Sequence, residues 1–246
     1  MNELRIERIT AESEASAPIV GVYLDNAPQR NALSLENVEQ LRETLISHPE
    51  ETLIFASTTP GIFSAGADLH ATDSQRARLS DVLYECYELM IDREGCAICV
   101  VDGAAVGGGA QLTTACDVRI MSAQARWRWV GPGHGLAVGA WILPEIFGRS
   151  RGLDLTLSGR WLESAEAETS GFAELARDPW QRALDYAAQL AQAQPAAISR
   201  VRSIATYPHI RDALRRERSE NKNSWSGAAP SARDAARAGK GLDDSQ

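Results

Sequence analysis

The stretch VDGAAVGGGAQLTTACDVRI, residues 101–120, contains the pattern that decides the fold. A short apolar segment leads into three consecutive glycines, residues 107–109, and then into a segment that favours a helix. Glycine lets the backbone adopt positive φ and lets a second chain segment approach closely. A helix that begins there leaves its first N–H groups unpaired, and the helix dipole adds partial positive charge. The stretch therefore predicts a strand, a tight turn and an exposed helix start.

A second glycine loop, FSAGADL at residues 63–69, follows an apolar strand segment at residues 52–58. If the two loops meet, two backbone N–H groups can point at one carbonyl oxygen, which is the geometry of an oxyanion hole. A tight strand-to-helix turn without function is the more economical explanation of either loop taken alone. The glycine patterns of P-loop NTPases, dinucleotide-binding folds and serine hydrolases are all missing, so these classes are disfavoured.

Strand and helix patterns alternate through the first half of the chain. IVGVYLD, residues 19–25, has the β-branched composition of a strand, and Ser34 is a plausible N-cap for the helix that follows it. From about residue 148 the apolar spacing is helical throughout. This order predicts an α/β layer architecture followed by helices.

The bulk composition limits the possible partners. The chain has 246 residues, of which 44% are hydrophobic, and its net charge is −8. No basic field exists to attract nucleic acid, so we expect none as a partner. The charged start MNELRIERIT is unlike a secretion signal, and no apolar run approaches the ~18 residues of a membrane span. We therefore expect a cytoplasmic protein without a membrane span.

The cysteines raise the question of a metal or redox site. They are Cys86, Cys96, Cys99 and Cys116. Cys96 and Cys99 form a C-x-x-C pattern, but they lie in an apolar run rich in Val and Ile, which is typical of a buried strand. No second pair of Cys or His stands at metal-binding spacing, so we expect core packing and no metal.

Several linked motifs occur in one order: NAPQRNALS (26–34), FSAGADL (63–69), residues 101–120, and SGRWLESAEAETSGFAE (158–174). In this order the chain resembles the enoyl-CoA hydratase/isomerase (crotonase) family from about residue 18 to about residue 175. The resemblance implies a spiral of ββα units with a C-terminal helical trimerisation region. It implies an acyl-CoA-binding core over residues 1–190, an oligomerisation region over residues 191–246, and a homotrimer or hexamer. Coenzyme A thioesters would be substrate or ligand, with no covalently bound cofactor.

The resemblance also assigns roles to individual residues. The thioester enolate would be stabilised by the backbone N–H groups of Ala67 and Gly108. The CoA adenine and phosphates would lie against four residues: Arg30, Ala65, Asp68 and Leu69.

The chain departs from the family's hydratase pattern at both catalytic glutamates. The first is expected two residues after the three glycines, where this chain has Gln111, and the second falls on Gly131. Glutamine can orient a water or a carbonyl but cannot take up a proton at neutral pH. A positioned acid or base contributes roughly 10²–10⁴ in rate, so we expect ordinary hydration to be weak or absent.

Other side chains are candidates for the chemistry, and each also has a non-catalytic explanation. His134 is the best candidate because it lies in the altered loop and titrates near neutrality, yet it is flanked by glycines and has no evident partner. His70 follows SAGADL, and Glu145 is expected on the wrong side of a helix. Of Trp127 and Trp129, one is expected to face the core and the other the acyl tunnel, unless both are core residues.

The Arg-rich segment RDALRRERSE, residues 211–220, is expected to be a solvated helix face, with contacts to CoA phosphates or to a neighbouring subunit as the alternative. Three functions stay open for the chain: an enzyme with isomerase, hydrolase or decarboxylase chemistry using His134, a non-catalytic acyl-CoA carrier or sensor, and a structural subunit.

Overall fold

The computed structural model describes residues 4–9, 18–68, 72–206 and 208–224. Within these ranges the strands form two sheets. The strands of the first sheet, in spatial order, are β1 (Leu4–Ile9), β2 (Ile19–Leu24), β3 (Thr52–Ser57), β5 (Ala97–Val101), β7 (Val118–Met121) and β10 (Glu174–Leu175). Those of the second are β4 (Gly61–Ser64), β6 (Gly103–Val106), β8 (Arg126–Arg128) and β9 (Leu162–Glu163).

From β3 to β8, consecutive strands alternate between the two sheets. β3 pairs with β2 and β5 in the first sheet, while β4, the next strand along the chain, pairs with β6 in the second. β5 and β6 repeat this arrangement, as do β7 and β8, and these pairings are parallel. Helices follow the strand pairs: α1 (Leu35–Ser47), α2 (Asp73–Asp92), α3 (Gly108–Ala115), α4 (Leu143–Phe147), α5 (Arg149–Ser158) and α6 (Ser164–Thr169). The expected α/β spiral of ββα units is confirmed.

The sequence signals for the first units are confirmed in detail. Ser34 caps α1, because its hydroxyl accepts the Asn37 N–H and the Asn37 side chain accepts the Ser34 N–H. Residues 97–106 form two strands that turn at Gly103, one in each sheet. Cys96 and Cys99 are buried with the other two cysteines, as the core-packing interpretation expects.

Three helices end the described chain: α7 (Pro179–Leu190), α8 (Pro195–Ala205) and α9 (Pro208–Ser224). The expectation of a solvated face for residues 211–220 is wrong in part. Leu214 and Glu217 are buried, and the arginines of α9 pair with acidic residues of α2, as in the contacts of Arg218 with Asp81 and Glu85. The division into a core and an oligomerisation region at residue 190 stays a prediction. α9 lies after this boundary and packs against α2, which lies before it. No described helix is long and apolar enough to cross a membrane.

Candidate active site

The two glycine loops meet at the ends of β4 and β6. Gly66 has φ +87°, and a Cβ atom there would lie 2.8 Å from the carbonyl oxygen of Val106. A Cβ atom on Gly109 would lie 2.5 Å from the Cβ of Ser64. Both positions therefore need glycine, and the need arises because one loop rests directly on the other.

The loop with Arg30 is joined to the first glycine loop by a short ladder of backbone hydrogen bonds. The Ala65 N–H donates to Arg30 O at 3.0 Å, and the Leu33 N–H donates to Gly66 O at 2.7 Å. The Asp68 N–H then donates to Leu33 O at 3.0 Å. The structure thus brings together three residues assigned to the CoA moiety, whereas Leu69, like His70, lies outside the described residues.

Ala67 and Gly108 keep their backbone N–H groups available. The neighbours of Ala67, Gly66 and Asp68, make the hydrogen bonds of the ladder. The Ala67 N–H itself donates to no described atom. Gly108 is the first residue of α3, so its N–H has no intrahelical acceptor, and it too has no described acceptor. Both residues line one cavity of about 460 Å³. This arrangement can offer two donors to an oxygen atom inside the cavity.

The cavity is bounded by the two loops, α2, the start of α3, the segment after β8, the end of α5 and α9. Of the described residues that line it, none is Asp or Glu, while Arg76, Arg128 and His134 all line it. The protein as a whole carries a net charge of −8. Two arginines and no acid among the described lining residues favour an anionic ligand, with Arg76 also paired to the exposed Asp73 at 3.3 Å.

Gln111 lies one turn into α3 and is almost fully buried. Its Oε1 accepts the Gly139 N–H at 3.1 Å and the Trp141 Nε1–H at 2.8 Å. These two donors fix the orientation of the amide and leave Nε2 facing the Tyr84 hydroxyl at 3.5 Å. Gln111 can therefore present N–H groups to the cavity, but its oxygen is already in use.

Gly131 stands where the second glutamate was expected, and it also lines the cavity. The backbone folds over it: a Cβ atom would lie 2.6 Å from Leu136 O and 2.8 Å from Val138 N. Real Cβ atoms are not found at such distances from backbone atoms. The loop is thus built around glycine at this position.

His134 lies in the 3-10 turn at residues 132–134 and lines the cavity. Its Nδ1 is buried and has no hydrogen-bond partner among the described atoms. Burial lowers the pKa of His134 below its ordinary value of 6.5, and the nearby Arg76 guanidinium lowers it further. The imidazole is therefore neutral at pH 7. Glu145 lies on α4 beside His209 and does not line the cavity, as expected.

Sequence reasoning missed a polar cluster that joins α2, α9 and the loop after Gly131. The Tyr84 hydroxyl donates to Glu217 Oε1 at 2.7 Å and accepts the Asn221 Nδ2–H at 2.8 Å. Glu217 also accepts the backbone N–H groups of Gly139 and Trp141. Burial raises the pKa of Glu217, and burial with the adjacent carboxyl raises the pKa of Tyr84.

A signal for this cluster was present in the sequence. Ile210, Leu214, Glu217 and Asn221 follow one another at spacings of four, three and four residues. That spacing places all four on one face of a helix, so the two polar residues continue an apolar stripe. The charged residues around these four positions make this spacing hard to recognise in the sequence.

The expectation that Trp127 and Trp129 face different environments is wrong. Residues two apart on a strand point to the same side. Both tryptophans are fully buried against Phe172, and Arg128 between them lines the cavity. The alternative that both are core residues is the one confirmed.

Comparisons with known proteins agree with this geometry. Residues 14–236 match the family model described as "Enoyl-CoA hydratase/isomerase". Enoyl-CoA hydratase domain-containing protein 3, mitochondrial, of Danio rerio is 32% identical over 65% of this chain and 58% of its own. Methylglutaconyl-CoA hydratase, mitochondrial, of Homo sapiens is 30% identical over 69% of this chain and 52% of its own. The matched chain thus spans little more than half the length of these curated relatives.

Solved structures show the same fold. An enoyl-CoA hydratase from Bacillus halodurans superimposes with a TM-score of 0.80 at 20% identity, covering 95% of this chain and 99% of that one. A monofunctional enoyl CoA isomerase from M. smegmatis gives a TM-score of 0.68 at 23% identity, covering 83% and 92%.

Proposed function

Because the chain belongs to the enoyl-CoA hydratase/isomerase family, we propose that its cavity binds acyl-CoA thioesters and that the N–H groups of Ala67 and Gly108 hold the thioester oxygen. The observation that carries this proposal is the meeting of the two glycine loops at one cavity, where neither donor has an acceptor among the described residues. Negative charge develops on a thioester oxygen as an enolate forms, and preorganised donors stabilise that charge.

The basic wall supports the same ligand class. Coenzyme A carries several phosphate charges, and Arg76 and Arg128 would attract an anion that a chain with net charge −8 otherwise repels. Arg30, Ala65 and Asp68 lie together on the adjoining ladder, where the CoA head would be placed; of the three, Ala65 also lines the cavity.

Hydration of an enoyl thioester is not the reaction we propose. Water addition needs an acid and a base that act on one water, and no described lining residue is a carboxylate. Gln111 has its oxygen occupied, and Gly131 has no room for a side chain. The same observation favours a second candidate function, a carrier or sensor that binds acyl-CoA without converting it.

We further propose a homo-oligomer, trimer or hexamer, formed through α8. Val201 and Ile204 are 66% and 75% exposed, and they lie three residues apart on one face of that helix. Exposed aliphatic side chains that cluster on one helix are typical of a subunit interface.

Titration calorimetry with butanoyl-, octanoyl- and hexadecanoyl-CoA tests the proposal, with free CoA and the free acids as control ligands. We expect micromolar Kd values for at least one thioester and weaker binding of each control, because the thioester oxygen and the CoA head both contribute contacts. The same samples are then assayed for enoyl hydration, which we expect to be absent. Failure of every thioester to bind would contradict the proposed function.

A further inference from the structure

The cavity has no carboxylate on its described wall, but it has one directly behind that wall. Tyr84 lines the cavity, and Glu217, which does not, contacts the Tyr84 hydroxyl from the other side at 2.7 Å. Glu217 is the only carboxylate among the buried residues of the described chain. A buried acid next to a cavity-lining hydroxyl is an arrangement through which a proton can pass.

We propose that Tyr84 exchanges a proton with the α carbon of a bound acyl-CoA thioester and that Glu217 receives or returns that proton through the Tyr84 hydroxyl. This inference rests on the proposed function, because it needs a thioester held by Ala67 and Gly108. It would give the site an acid–base pair in place of the two missing glutamates.

The position of Tyr84 fits this role. Gln111 lies three residues after Gly108, on the same face of α3, and its Nε2 is 3.5 Å from the Tyr84 hydroxyl. The neighbouring Tyr87 donates to Gly108 O at 2.9 Å, and its ring lies edge-on to that of Tyr84 with centroids 5.6 Å apart. Tyr84 therefore lies between Gln111 of α3 and Tyr87, which contacts the helix start at which the thioester carbonyl would bind.

The hydrogen bonds of the hydroxyl leave one acceptor site open. A tyrosine hydroxyl has one proton and two acceptor positions. The proton goes to Glu217, and one acceptor position is filled by Asn221 at 2.8 Å. The other contacts of the hydroxyl, with Ala137 O at 3.3 Å and Gln111 Nε2 at 3.5 Å, are longer and weaker. A substrate C–H entering the cavity can approach the remaining acceptor position.

The transfer balances in atoms and charge. The α C–H bond breaks and a new O–H bond forms on Tyr84, while the original Tyr84 O–H bond breaks and its proton joins the Glu217 carboxylate. The electron pair of the C–H bond becomes the enolate, whose negative oxygen is held by the two backbone N–H groups. Burial raises the pKa of Glu217, which makes its carboxylate a better proton acceptor near neutral pH. The reverse steps return a proton to the acyl chain.

Deuterium uptake at the α carbon of butanoyl-CoA and octanoyl-CoA tests this inference. Wild-type protein is equilibrated in D₂O, and uptake is followed by mass spectrometry at saturating thioester. Tyr84→Phe removes the hydroxyl and keeps the ring, and Glu217→Gln keeps the shape of the carboxyl. Tyr23→Phe is the matched control, because Tyr23 is buried between β2 and α7, away from the cavity.

We expect wild type and Tyr23→Phe to exchange alike. Tyr84→Phe and Glu217→Gln should exchange at least ~100-fold more slowly, the lower end of the effect of a positioned acid or base. Binding measured by calorimetry should change much less in Tyr84→Phe, because the oxyanion donors and the basic wall remain. A role in packing alone would lower affinity and exchange together.

Two results would overturn the inference while leaving the proposed function intact: thioester binding by wild type without exchange, or exchange by Tyr84→Phe at the wild-type rate. Because Glu217 also holds the loop at Gly139, the decision rests on Tyr84→Phe alone if Glu217→Gln does not fold. Absence of thioester binding by wild type would remove the proposed function and this inference with it.

Discussion

The carbonyl oxygen of Leu136 lies over Gly131, at 2.6 Å from the position that a Cβ atom on that glycine would occupy. The Leu136 N–H also donates back to Gly131 O at 3.0 Å, so the two residues close a tight loop. The loop is held from behind by α9, where Asn221 accepts the Ala137 N–H at 2.8 Å. A longer side chain at position 131 cannot enter the cavity unless this loop opens.

Restoring both glutamates should therefore not create a hydratase. We expect Gln111→Glu combined with Gly131→Glu to show no hydration of crotonyl-CoA and to be destabilised by about 2 kcal/mol or more, as for other overpacked sites. Thermal unfolding and a spectrophotometric hydration assay measure the two effects. Gln111→Glu alone is the control, because it leaves the loop at Gly131 unchanged. Appreciable hydration by the double variant would contradict this account.

His134 should titrate below its ordinary pKa of 6.5, because burial and the nearby Arg76 disfavour the charged ring. The folded pKa is then lower than the unfolded one, so the unfolded chain takes up the proton first. Stability from this residue is present above the unfolded pKa and is lost as the pH falls toward the folded pKa. Proton NMR titration of the ring resonances, assigned with His134→Gln, measures the midpoint. A midpoint above 6.5 would contradict the described surroundings.

The α8 surface should hold the oligomer together. Val201→Asp combined with Ile204→Asp places two charges on that surface, and we expect the variant to run as a monomer by light scattering after size exclusion. Ile46→Asp is the matched control, because Ile46 is 59% exposed on α1, a different helix. A wild-type monomer, or a double variant of unchanged mass, would refute the proposed interface.

Much of the fold was readable from local signals. Ser34 followed by an apolar period marks the start of α1, and the three glycines at residues 107–109 mark the junction of β6 and α3. The resemblance to the family assigned the two donors, one in each glycine loop, and that assignment stays a prediction. These features depend on a few neighbouring residues, which is why a single sequence reveals them.

The rest depends on contacts between distant segments. Asn221 reaches the cavity, and Glu217 reaches the Tyr84 hydroxyl behind its wall, only because α9 packs on α2, more than 120 residues earlier in the chain. Whether Gln111 offers its oxygen or its nitrogen is decided by Gly139 and Trp141, which no local pattern connects to it. Likewise, the lack of room at Gly131 follows from the course of the loop and not from the residue itself.

The central claim is that the N–H groups of Ala67 and Gly108 hold a thioester oxygen, and carbon-13 NMR of bound [1-¹³C]butanoyl-CoA tests it most directly. Gly108→Pro removes one donor at the first helical position, where proline is tolerated. Gly108→Ala keeps the donor, and its Cβ would lie 3.1 and 3.3 Å from the ends of the Leu83 and Leu33 side chains and 3.6 Å from the Tyr87 hydroxyl. We expect a downfield shift of the thioester carbonyl on binding to wild type and to Gly108→Ala, and a clearly smaller shift with Gly108→Pro. A bound carbonyl that resonates where the free thioester does would contradict the account.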